Sequence, residues 1–342
     1  MGRTSLITKL GIETDKEFGM RNYVPNSTYR HAAIFGDEIE YDYLFNTDAN
    51  GFRLIHECSN KSESLKENNF FIAFTGDSFT EGQGAETSWT KKIQANLCNK
   101  GINSNNMAMA AYSVIDMEKT LNFAYEKLDA RKAIIGLIID DFDRGSPIMM
   151  KNKKCSRFVR KNSQKIECGE LGSVNWWHIN NDYDEQDLIS FAKDTYQYGL
   201  YGYLKPYIYK FKNSIKFLLK KILPKDFVNK RSYSTNSQLQ DNIDASFRII
   251  KKFGNDNVLF ILLPTTLDIS NSKYTLDKNM NSFFKILNKE TNFIDARGCQ
   301  LNEYLFNKKD RHPNTLGQKV LGECISKKIS KIGFFDNIFN EI

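Results

Sequence analysis

An apolar run that passes directly into a glycine, an acid and a serine constrains the fold of this chain more than any other stretch. The run Phe70–Thr75 is followed by Gly76, Asp77 and Ser78. Such a run is typical of a strand that is buried on both faces of a sheet, and Gly76 permits a tight turn after it. Because open α/β sheets bind ligands at the carboxyl ends of their strands, we expect Ser78 at the edge of a crevice.

Further apolar runs alternate with helical patterns along the rest of the chain. After the strand at 70–75, a short second strand is predicted to end in the stretch 105–112, and further strands are predicted at 133–139, 258–264 and 293–295. Helices, recognised by apolar residues at three- and four-residue spacing, are predicted at 89–97, 114–128, 236–253, 276–288 and 315–329. This alternation predicts an α/β fold in which helices cover both faces of a parallel sheet.

A short motif near the end of the chain contains the groups that a serine nucleophile needs. Asp310, His312, Pro313 and Asn314 lie just before the last predicted helix. A serine hydroxyl attacks a carbonyl carbon when a neutral imidazole takes its proton and an acid orients that imidazole. The pattern predicts Ser78 as nucleophile, His312 as base and Asp310 as acid. Two other interpretations stay open: a Gly-Asp-Ser tripeptide alone is more often only a turn, and Asp310 could cap the helix.

Together, Gly76-Asp77-Ser78-Phe79 and Asp310-x-His312-Pro313-Asn314 resemble the motifs of the SGNH, or GDSL-type, hydrolases. The segment Asn46–Arg53 also resembles the stretch that precedes the nucleophile in bacterial members with an N-terminal extension. The resemblance covers residues 20–330, with a long insertion. It implies a three-layer α/β/α sandwich with a five-stranded, mainly parallel, flavodoxin-like sheet. It also implies hydrolysis or transfer of acyl groups by the serine, and no cofactor.

The same resemblance assigns an oxyanion hole, the set of hydrogen-bond donors that stabilises the negative oxygen of the intermediate. It would comprise the backbone N–H groups of Ser78 and Ala111 and a side chain after the third strand, where Asp140 replaces the asparagine of the family. An ionised carboxylate cannot donate a hydrogen bond. Asp140 is therefore protonated, or has another task, or the hole has two donors. The spacing of Asp310 and His312 is also one residue shorter than the common spacing of the family. Lys309 stands at the position that the acid commonly occupies there.

Other residues are candidates for substrate or metal contacts. The resemblance places Arg53 beside the site, where it could bind an anionic or sugar group or simply pair with an acid, and Asp141 is a second substrate-binding candidate. Asp140 and Asp141, together with Asp77, could also hold a divalent ion, although a salt-bridged turn explains them as well.

Three functions follow from these alternatives. The main hypothesis is a serine-dependent hydrolase or acyltransferase that acts on small acyl esters, such as O-acetyl groups of a bacterial surface polysaccharide. The second hypothesis is a carbohydrate-binding protein on the same fold, with an oxyanion hole that has lapsed. The third hypothesis is a metal-assisted phosphoesterase. The fold alone does not choose among them.

We expect an N-terminal extension at 1–66 that packs on the main domain, a hydrolase domain at 67–335 and a short tail at 336–342. Residues 145–240 read as an insertion that carries a basic amphipathic helix at 204–223. This helix could pack on its own domain with a solvated lysine face, act as a lid or partner contact, or touch a membrane surface.

Composition limits the partners and the compartment. The net charge is +7, and no zinc spacing, glycine-rich phosphate loop or aromatic-basic strand pattern accompanies it, so we predict no nucleic-acid partner. No apolar run is long enough to span a bilayer. We expect a cytoplasmic protein as the chain stands, or an extracytoplasmic, membrane-anchored one if an anchor is missing upstream.

The six cysteines match no zinc spacing. Cys155 and Cys168 could pair across a hairpin, but free buried thiols are the simpler expectation.

Overall fold

The computed structural model describes the residues 3–8, 12–15, 17–35, 38–56, 70–142, 144, 147–152, 155–160, 176–179, 184–196, 236–270 and 278–339. The predicted basic helix at 204–223 lies outside these residues, as does Cys168. Within the described residues, no helix has the length and apolar character needed to cross a bilayer.

Strands account for much of the N-terminal part and for the centre of the molecule. In chain order they are β1 (Arg3–Thr8), β2 (Ile12–Thr14), β3 (Arg21–Tyr23), β4 (Thr28–Phe35), β5 (Glu38–Asn46), β6 (Phe71–Gly76), β7 (Asn103–Asn106), β8 (Ala130–Leu137), β9 (Pro147–Asn152), β10 (Cys155–Arg160), β11 (Trp176–Ile179), β12 (Val258–Leu262) and β13 (Asn292–Asp295). The helices are α1 (Ser78–Glu81), α2 (Thr90–Cys98), α3 (Val114–Lys127), α4 (Glu185–Tyr196), α5 (Asn236–Phe253), α6 (Thr266–Ser270), α7 (Lys278–Glu290), α8 (Thr315–Lys331) and α9 (Asp336–Phe339).

A five-stranded sheet forms the centre, in the order β13-β12-β8-β6-β7, and every neighbouring pair is parallel. Among these five strands, β6 comes first in the chain. It lies between β7 and β8, so the chain winds outward from β6 in both directions. This is the flavodoxin-like order, whose ligand crevice forms where the winding direction changes. The predicted α/β fold and its five-stranded parallel sheet are confirmed.

Two apolar cores cover the two faces of this sheet, because successive side chains of a strand point to opposite faces. In β6, Ala73 faces the core formed with α3, α5 and α7, whereas Ile72 and Phe74 face the core formed with α2 and α8. In β8, Ile135 and Ile134 divide in the same way. Strands β6, β8 and β12 are therefore largely apolar, because both faces of the sheet are buried along them, whereas the edge strand β7 is polar.

The helices predicted at 89–97, 114–128, 236–253, 276–288 and 315–329 are present, and α5 has the predicted bounds. Strand β7 is the short second strand that the sequence predicts, and it ends at Asn106, where the chain leaves the sheet. There the side-chain amide of Asn106 donates to the carbonyl of Thr80 at 2.8 Å, and its oxygen accepts from the N–H of Ala108 at 3.2 Å. These bonds start the buried loop that leads to Ala111.

Three N-terminal strands and the distant strand β11 form a separate four-stranded sheet, in the order β11-β1-β4-β5. Strands β4 and β5 form an antiparallel hairpin. Tyr29 and Phe45 from this hairpin, with Tyr23 and Phe52, belong to the same apolar core as α3 and α5. The hairpin thus packs against the apolar core that covers one face of the central sheet.

Two of the cysteines form a disulfide. Cys299, which follows β13, is bonded to Cys324 in α8, with a Cα–Cα distance of 6.0 Å and a sequence separation of 25 residues. Cys98 is disulfide-bonded as well. The sequence did not predict these bonds, because they depend on how the fold brings distant segments together.

Candidate active site

Ser78 is the first residue of α1 and follows β6 at the point where the sheet changes its winding direction. Asp77 caps this short helix, because its carboxylate accepts a hydrogen bond from the N–H of Phe79 at 2.9 Å. Gly76 has no room for a side chain, since a Cβ there would clash with the Thr80 side chain and with the carbonyl oxygen of Gly136. Close packing at Gly76 therefore fixes the backbone just before Ser78, and with it the direction of the Ser78 hydroxyl.

The predicted nucleophile, base and acid meet in one hydrogen-bonded chain. The Nε2 atom of His312 lies 2.8 Å from Ser78 Oγ, and its Nδ1 atom lies 2.8 Å from Asp310 Oδ2. The Asp310 side chain is fully buried, and that of His312 is 13% exposed. If Nδ1 carries the proton shared with Asp310, Nε2 is free to accept the proton of the serine hydroxyl. This is the geometry that a serine nucleophile requires.

The short spacing between the acid and the base is achieved by a turn at Arg311. This residue has φ of +67°, a left-handed conformation that is uncommon for residues other than glycine. The N–H of Arg311 donates to the carbonyl of Asn307 at 2.9 Å, and the N–H of Asn307 donates to the carbonyl of His312 at 2.8 Å. The turn places both side chains on one side of the loop, so Asp310 reaches His312 across a single intervening residue.

Asp310 does not cap the helix that follows. Asn314 is the N-cap of α8, and its side chain accepts a hydrogen bond from the N–H of Gly317 at 2.9 Å. The alternative in which Asp310 serves only as a cap is therefore wrong, because its carboxylate is bonded to the imidazole.

The three positions assigned to the oxyanion hole have different surroundings. Ser78 is buried at the start of α1, whereas Ala111 is exposed and has φ of +63°. A positive φ suits glycine, the residue that the resemblance leads us to expect at this position. Asp140 lies in a short 3₁₀ turn, Ile139–Phe142, and its side chain is exposed. The roles of Ser78, Ala111 and Asp140 in an oxyanion hole stay predictions.

Asp141 is completely buried, so the expectation that it contacts a substrate is not supported. Its Oδ2 atom accepts from the N–H of Ile138 at 2.9 Å, and its Oδ1 atom lies 2.7 Å from Nη1 of Arg144. The same Nη1 atom lies 3.0 Å from Oδ2 of Asp77. Burial, and then the nearby charge of Asp77, raise the pKa of Asp141 well above its ordinary value. Arg144 offsets this repulsion by bridging the two carboxylates.

Arg144 also bears on the metal hypothesis. Its guanidinium occupies the space between Asp77 and Asp141, where a divalent ion would have to bind. In the described part of the chain, no three His, Cys, Asp or Glu side chains form a group that could hold a metal ion. Sequence reasoning did not single out Arg144, although its position three residues after Asp141 is the spacing at which side chains meet on one turn of helix.

Arg53 is buried and holds the loop that follows α1, so the expectation that it binds a substrate is not supported either. Its guanidinium donates to the carbonyl oxygens of Glu81, Gly82 and Ala85, at 3.2, 2.7 and 2.7 Å. It also packs over the ring of Tyr43 at 4.9 Å. With 1% of its surface exposed, Arg53 has no face open to a ligand.

Glu81 is a further residue that the sequence did not reveal. Its carboxylate is buried, accepts from the hydroxyl of Tyr23 at 2.5 Å and accepts from the N–H of Ala110 at 2.8 Å. Burial raises the pKa of Glu81, against the effect of the Tyr23 hydrogen bond and of the Arg53 charge. Glu81 thus links the N-terminal part to the loop that carries Ala111.

Comparison with known proteins gives matches among solved structures only. No protein-family model matches the sequence, and no curated protein matches it. A lipase/acylhydrolase from Enterococcus faecalis is 10% identical with a TM-score of 0.36, over 76% of this chain and 94% of that one. A family two carbohydrate esterase from Clostridium thermocellum, solved with cellohexaose, is 11% identical with a TM-score of 0.38, over 77% and 65%.

An acetylxylan esterase from Geobacillus stearothermophilus, solved as a catalytic mutant, is 12% identical with a TM-score of 0.36, over 76% of this chain and 93% of that one. All three names describe hydrolases of the kind that the sequence motifs resemble. These identities and TM-scores are low, so the similarity by itself supports no conclusion on the activity of this chain.

Proposed function

We propose that this protein is a serine-dependent hydrolase of acyl esters, in which Ser78 forms a covalent acyl-enzyme. The observation that carries the proposal is the continuous chain of hydrogen bonds from Ser78 through His312 to Asp310, with both distances at 2.8 Å. The three residues come from two loops that are 234 positions apart in the sequence, yet their reactive atoms are aligned for proton transfer.

In the first half of the reaction, Ser78 Oγ forms a bond to the acyl carbon while His312 Nε2 takes the hydroxyl proton. Asp310 stabilises the imidazolium that results. The tetrahedral intermediate then breaks its bond to the alcohol oxygen. This oxygen leaves with the proton from Nε2, and the acyl group remains on Ser78.

In the second half, a water molecule attacks the acyl carbon and gives its proton to His312 Nε2. The bond between the acyl carbon and Ser78 Oγ breaks, and Oγ takes that proton back. The carboxylic acid leaves, and the resting state of all three residues is restored. An alcohol in place of the water would give acyl transfer by the same proton movements.

The oxyanion that forms in each half needs hydrogen-bond donors. We assign the backbone N–H groups of Ser78 and Ala111 to this task, and we expect the exposed carboxylate of Asp140 to contribute no donor when it is ionised. Loss of one donor typically costs about a hundred- to a thousandfold in rate. The proposed enzyme is therefore expected to be slow on simple esters unless its own substrate supplies further contacts.

The substrate class that we propose is an O-acylated small molecule or carbohydrate. The support is the resemblance of Asn46–Arg53 and of the two catalytic motifs to bacterial hydrolases of this type. Asp140 favours a second candidate, a carbohydrate-binding protein without turnover, because it replaces the donor that the family carries at this position. The metal-assisted phosphoesterase is less favoured, because Arg144 forms ion pairs with Asp77 and Asp141, two of the three carboxylates that it would use.

The test combines turnover with covalent labelling. The native protein, Ser78→Ala and a control, Ser330→Ala on the exposed face of α8, are assayed on p-nitrophenyl acetate with and without a chelator. Each protein is also treated with a fluorophosphonate, and the modified residue is located by mass spectrometry. The proposal predicts turnover and labelling at Ser78 in the native protein and the control, both insensitive to chelator, and neither in Ser78→Ala.

The other outcomes decide against the proposal in different ways. Equal turnover in all three proteins would exclude Ser78 as the nucleophile. Absence of both turnover and labelling in the native protein would favour the binding role. Turnover that is lost with chelator would revive the metal hypothesis.

We also propose that the protein works in an oxidising compartment. The support is the pair Cys299 and Cys324, together with the bonded state of Cys98, since structural disulfides are rare in the reducing cytosol. Thiol alkylation of protein taken directly from its native cells, followed by mass spectrometry, tests this. Free thiols at Cys299 and Cys324 would contradict it.

A further inference from the structure

The acid of the triad has a second hydrogen-bond donor, which comes from the N-terminal hairpin. The hydroxyl of Tyr41, in β5, donates to Asp310 Oδ2 at 3.0 Å. This is the oxygen that lies 2.8 Å from Nδ1 of His312. The carboxylate is fully buried, so its orientation depends on the groups that bond to it rather than on water.

The same strand also holds the backbone on which Asp310 is carried. The carboxylate of Glu40 accepts from the N–H of Asp310 at 2.8 Å and from the N–H of Lys309 at 2.5 Å. Glu38, two residues earlier in β5, forms an ion pair with the ammonium group of Lys309. Neighbouring residues of β5 therefore bind both the side chain and the main chain of the turn.

Such support has a physical reason in the strained turn that follows. Arg311 adopts its left-handed conformation only if the contacts on either side of it compensate the cost. Within the loop, Asn307 supplies two backbone hydrogen bonds to the segment Arg311–His312. The contacts from Glu40 and Tyr41 fix the other side of the turn, at Asp310.

Tyr41 is itself well placed to act as a rigid donor. Its ring packs edge-on against His31, with centroids 5.2 Å apart, and lies beside Tyr43 at 5.7 Å. A Cβ built on Gly84 would contact both the Tyr41 ring and His312. The ring is thus held between the hairpin and the loop after the nucleophile, and its hydroxyl has little freedom to leave Asp310.

We propose that Tyr41 is a positioning residue for the triad, which orients the Asp310 carboxylate toward His312 and makes the N-terminal hairpin part of the active site. The inference rests on the proposed function. Removal of the hydroxyl would leave His312 and Ser78 untouched but allow the carboxylate to turn, and the base would lose part of its orientation.

The test measures the rate constant for labelling of Ser78 by a fluorophosphonate in the full-length protein. Tyr41→Phe keeps the ring and removes only the hydroxyl. The matched control is Tyr29→Phe, which removes another hydrogen-bonded hydroxyl from the same hairpin, one that accepts from the N–H of Val24 at 2.9 Å. We expect labelling about tenfold slower in Tyr41→Phe and unchanged in Tyr29→Phe. A rate in Tyr41→Phe equal to that of the native protein overturns the proposal.

A double-mutant cycle separates positioning from a general structural role. In an Asp310→Asn background, Tyr41→Phe is expected to cause no further loss, because the group through which it acts is already altered. An equal tenfold loss in both backgrounds overturns the proposal.

A spectroscopic measurement keeps the proposal testable without any reaction. The low-field proton resonance of His312 Nδ1–H, assigned by its absence in His312→Gln, is expected to move in Tyr41→Phe and to stay in Tyr29→Phe. A resonance that does not move in Tyr41→Phe overturns the positioning role. A native protein that is not labelled at all instead overturns the proposed function, so the two failures differ.

Discussion

Glu81 accepts a hydrogen bond from the backbone N–H of Ala110 at 2.8 Å, and this contact joins the helix of the nucleophile to the loop of the proposed oxyanion donor. Glu81 is the last residue of α1, which begins with Ser78, and Ala110 directly precedes Ala111. A buried carboxylate that holds a backbone N–H so close to the reacting atoms fixes the distance between the two loops. The protonation state of Glu81 is therefore expected to affect both the stability of the protein and the geometry of the site.

Glu81→Gln should change how stability depends on pH. Burial raises the pKa of Glu81 above its ordinary value of 4.5. Between pH 4.5 and the raised pKa, the folded protein therefore binds more protons than the unfolded chain. The stabilisation from the protonated group is present below 4.5 and is lost as the pH rises through the raised pKa. Glutamine does not titrate. We expect the free energy of unfolding of the native protein, relative to Glu81→Gln, to fall with rising pH across this window.

Urea denaturation of both proteins at a series of pH values measures this difference. A difference that is constant with pH would contradict the assignment of a raised pKa to Glu81.

Ala111→Gly should stabilise the protein. Ala111 has φ of +63°, a conformation that costs a residue with a Cβ about 1–2 kcal/mol, whereas glycine adopts it freely at a cost of about 0.4–1 kcal/mol in unfolded-chain entropy. We expect a net gain of about 0.5–1 kcal/mol in the free energy of unfolding, measured by denaturant titration. Ala110→Gly is the control, because Ala110 does not have a positive φ, and it should lose stability. A loss in both variants would show that Ala111 carries no strain.

Arg53→Lys should destabilise the loop after the nucleophile, although lysine keeps the positive charge. The guanidinium reaches three carbonyl oxygens through two nitrogens, and an ammonium group cannot reproduce this planar fork. Unpaired buried carbonyls cost about 1–3 kcal/mol each, so we expect a loss of about 3 kcal/mol in the free energy of unfolding, measured in urea.

The control for Arg53 is Arg131→Lys. Arg131 pairs with Asp129 on the surface, with both side chains 55% exposed, and exposed pairs contribute about 0–1 kcal/mol. Losses of the same small size in both variants would mean that the contacts of Arg53 are not structural.

Replacement of both Cys299 and Cys324 by serine should lower stability substantially. The disulfide closes a loop with a separation of 25 residues, and loss of such a cross-link costs about 3 kcal/mol through the freedom of the unfolded chain. Denaturant titration under non-reducing conditions measures the loss, and the double variant avoids an unpaired thiol. Equal stability of the native and variant proteins would argue against the disulfide.

Local patterns predicted the central sheet and the three residues of the candidate triad. Strand β6 could be read from its apolar run, and Ser78 from the glycine and acid before it, because these signals lie within a few residues of one another. His312 and Asp310 were found by their residue types and by the helix that follows them. The turn at Arg311 was not predicted, since nothing in an Asp-Arg-His segment signals a positive φ.

Contacts between distant segments could not be predicted from a single sequence. Tyr41 and Asp310 are 269 residues apart, and no pattern in either segment points to the other. The resemblance left Arg53 open as a substrate contact or as a partner of an acid, and nothing in the sequence pointed to the carbonyl groups that it binds. Cys299 and Cys324 were missed for the same reason, because their pairing depends on how α8 packs after β13.

The contacts of Glu40 with the turn go to main-chain N–H groups, which every residue except proline possesses. Positions 309 and 310 could therefore carry other residues and still dock on β5, whereas the hairpin needs an acceptor at position 40. Chimeras with related proteins would show the same difference between the turn and the hairpin. A foreign turn could be grafted onto this hairpin, but a foreign hairpin would have to bring a glutamate and a tyrosine at the positions of Glu40 and Tyr41.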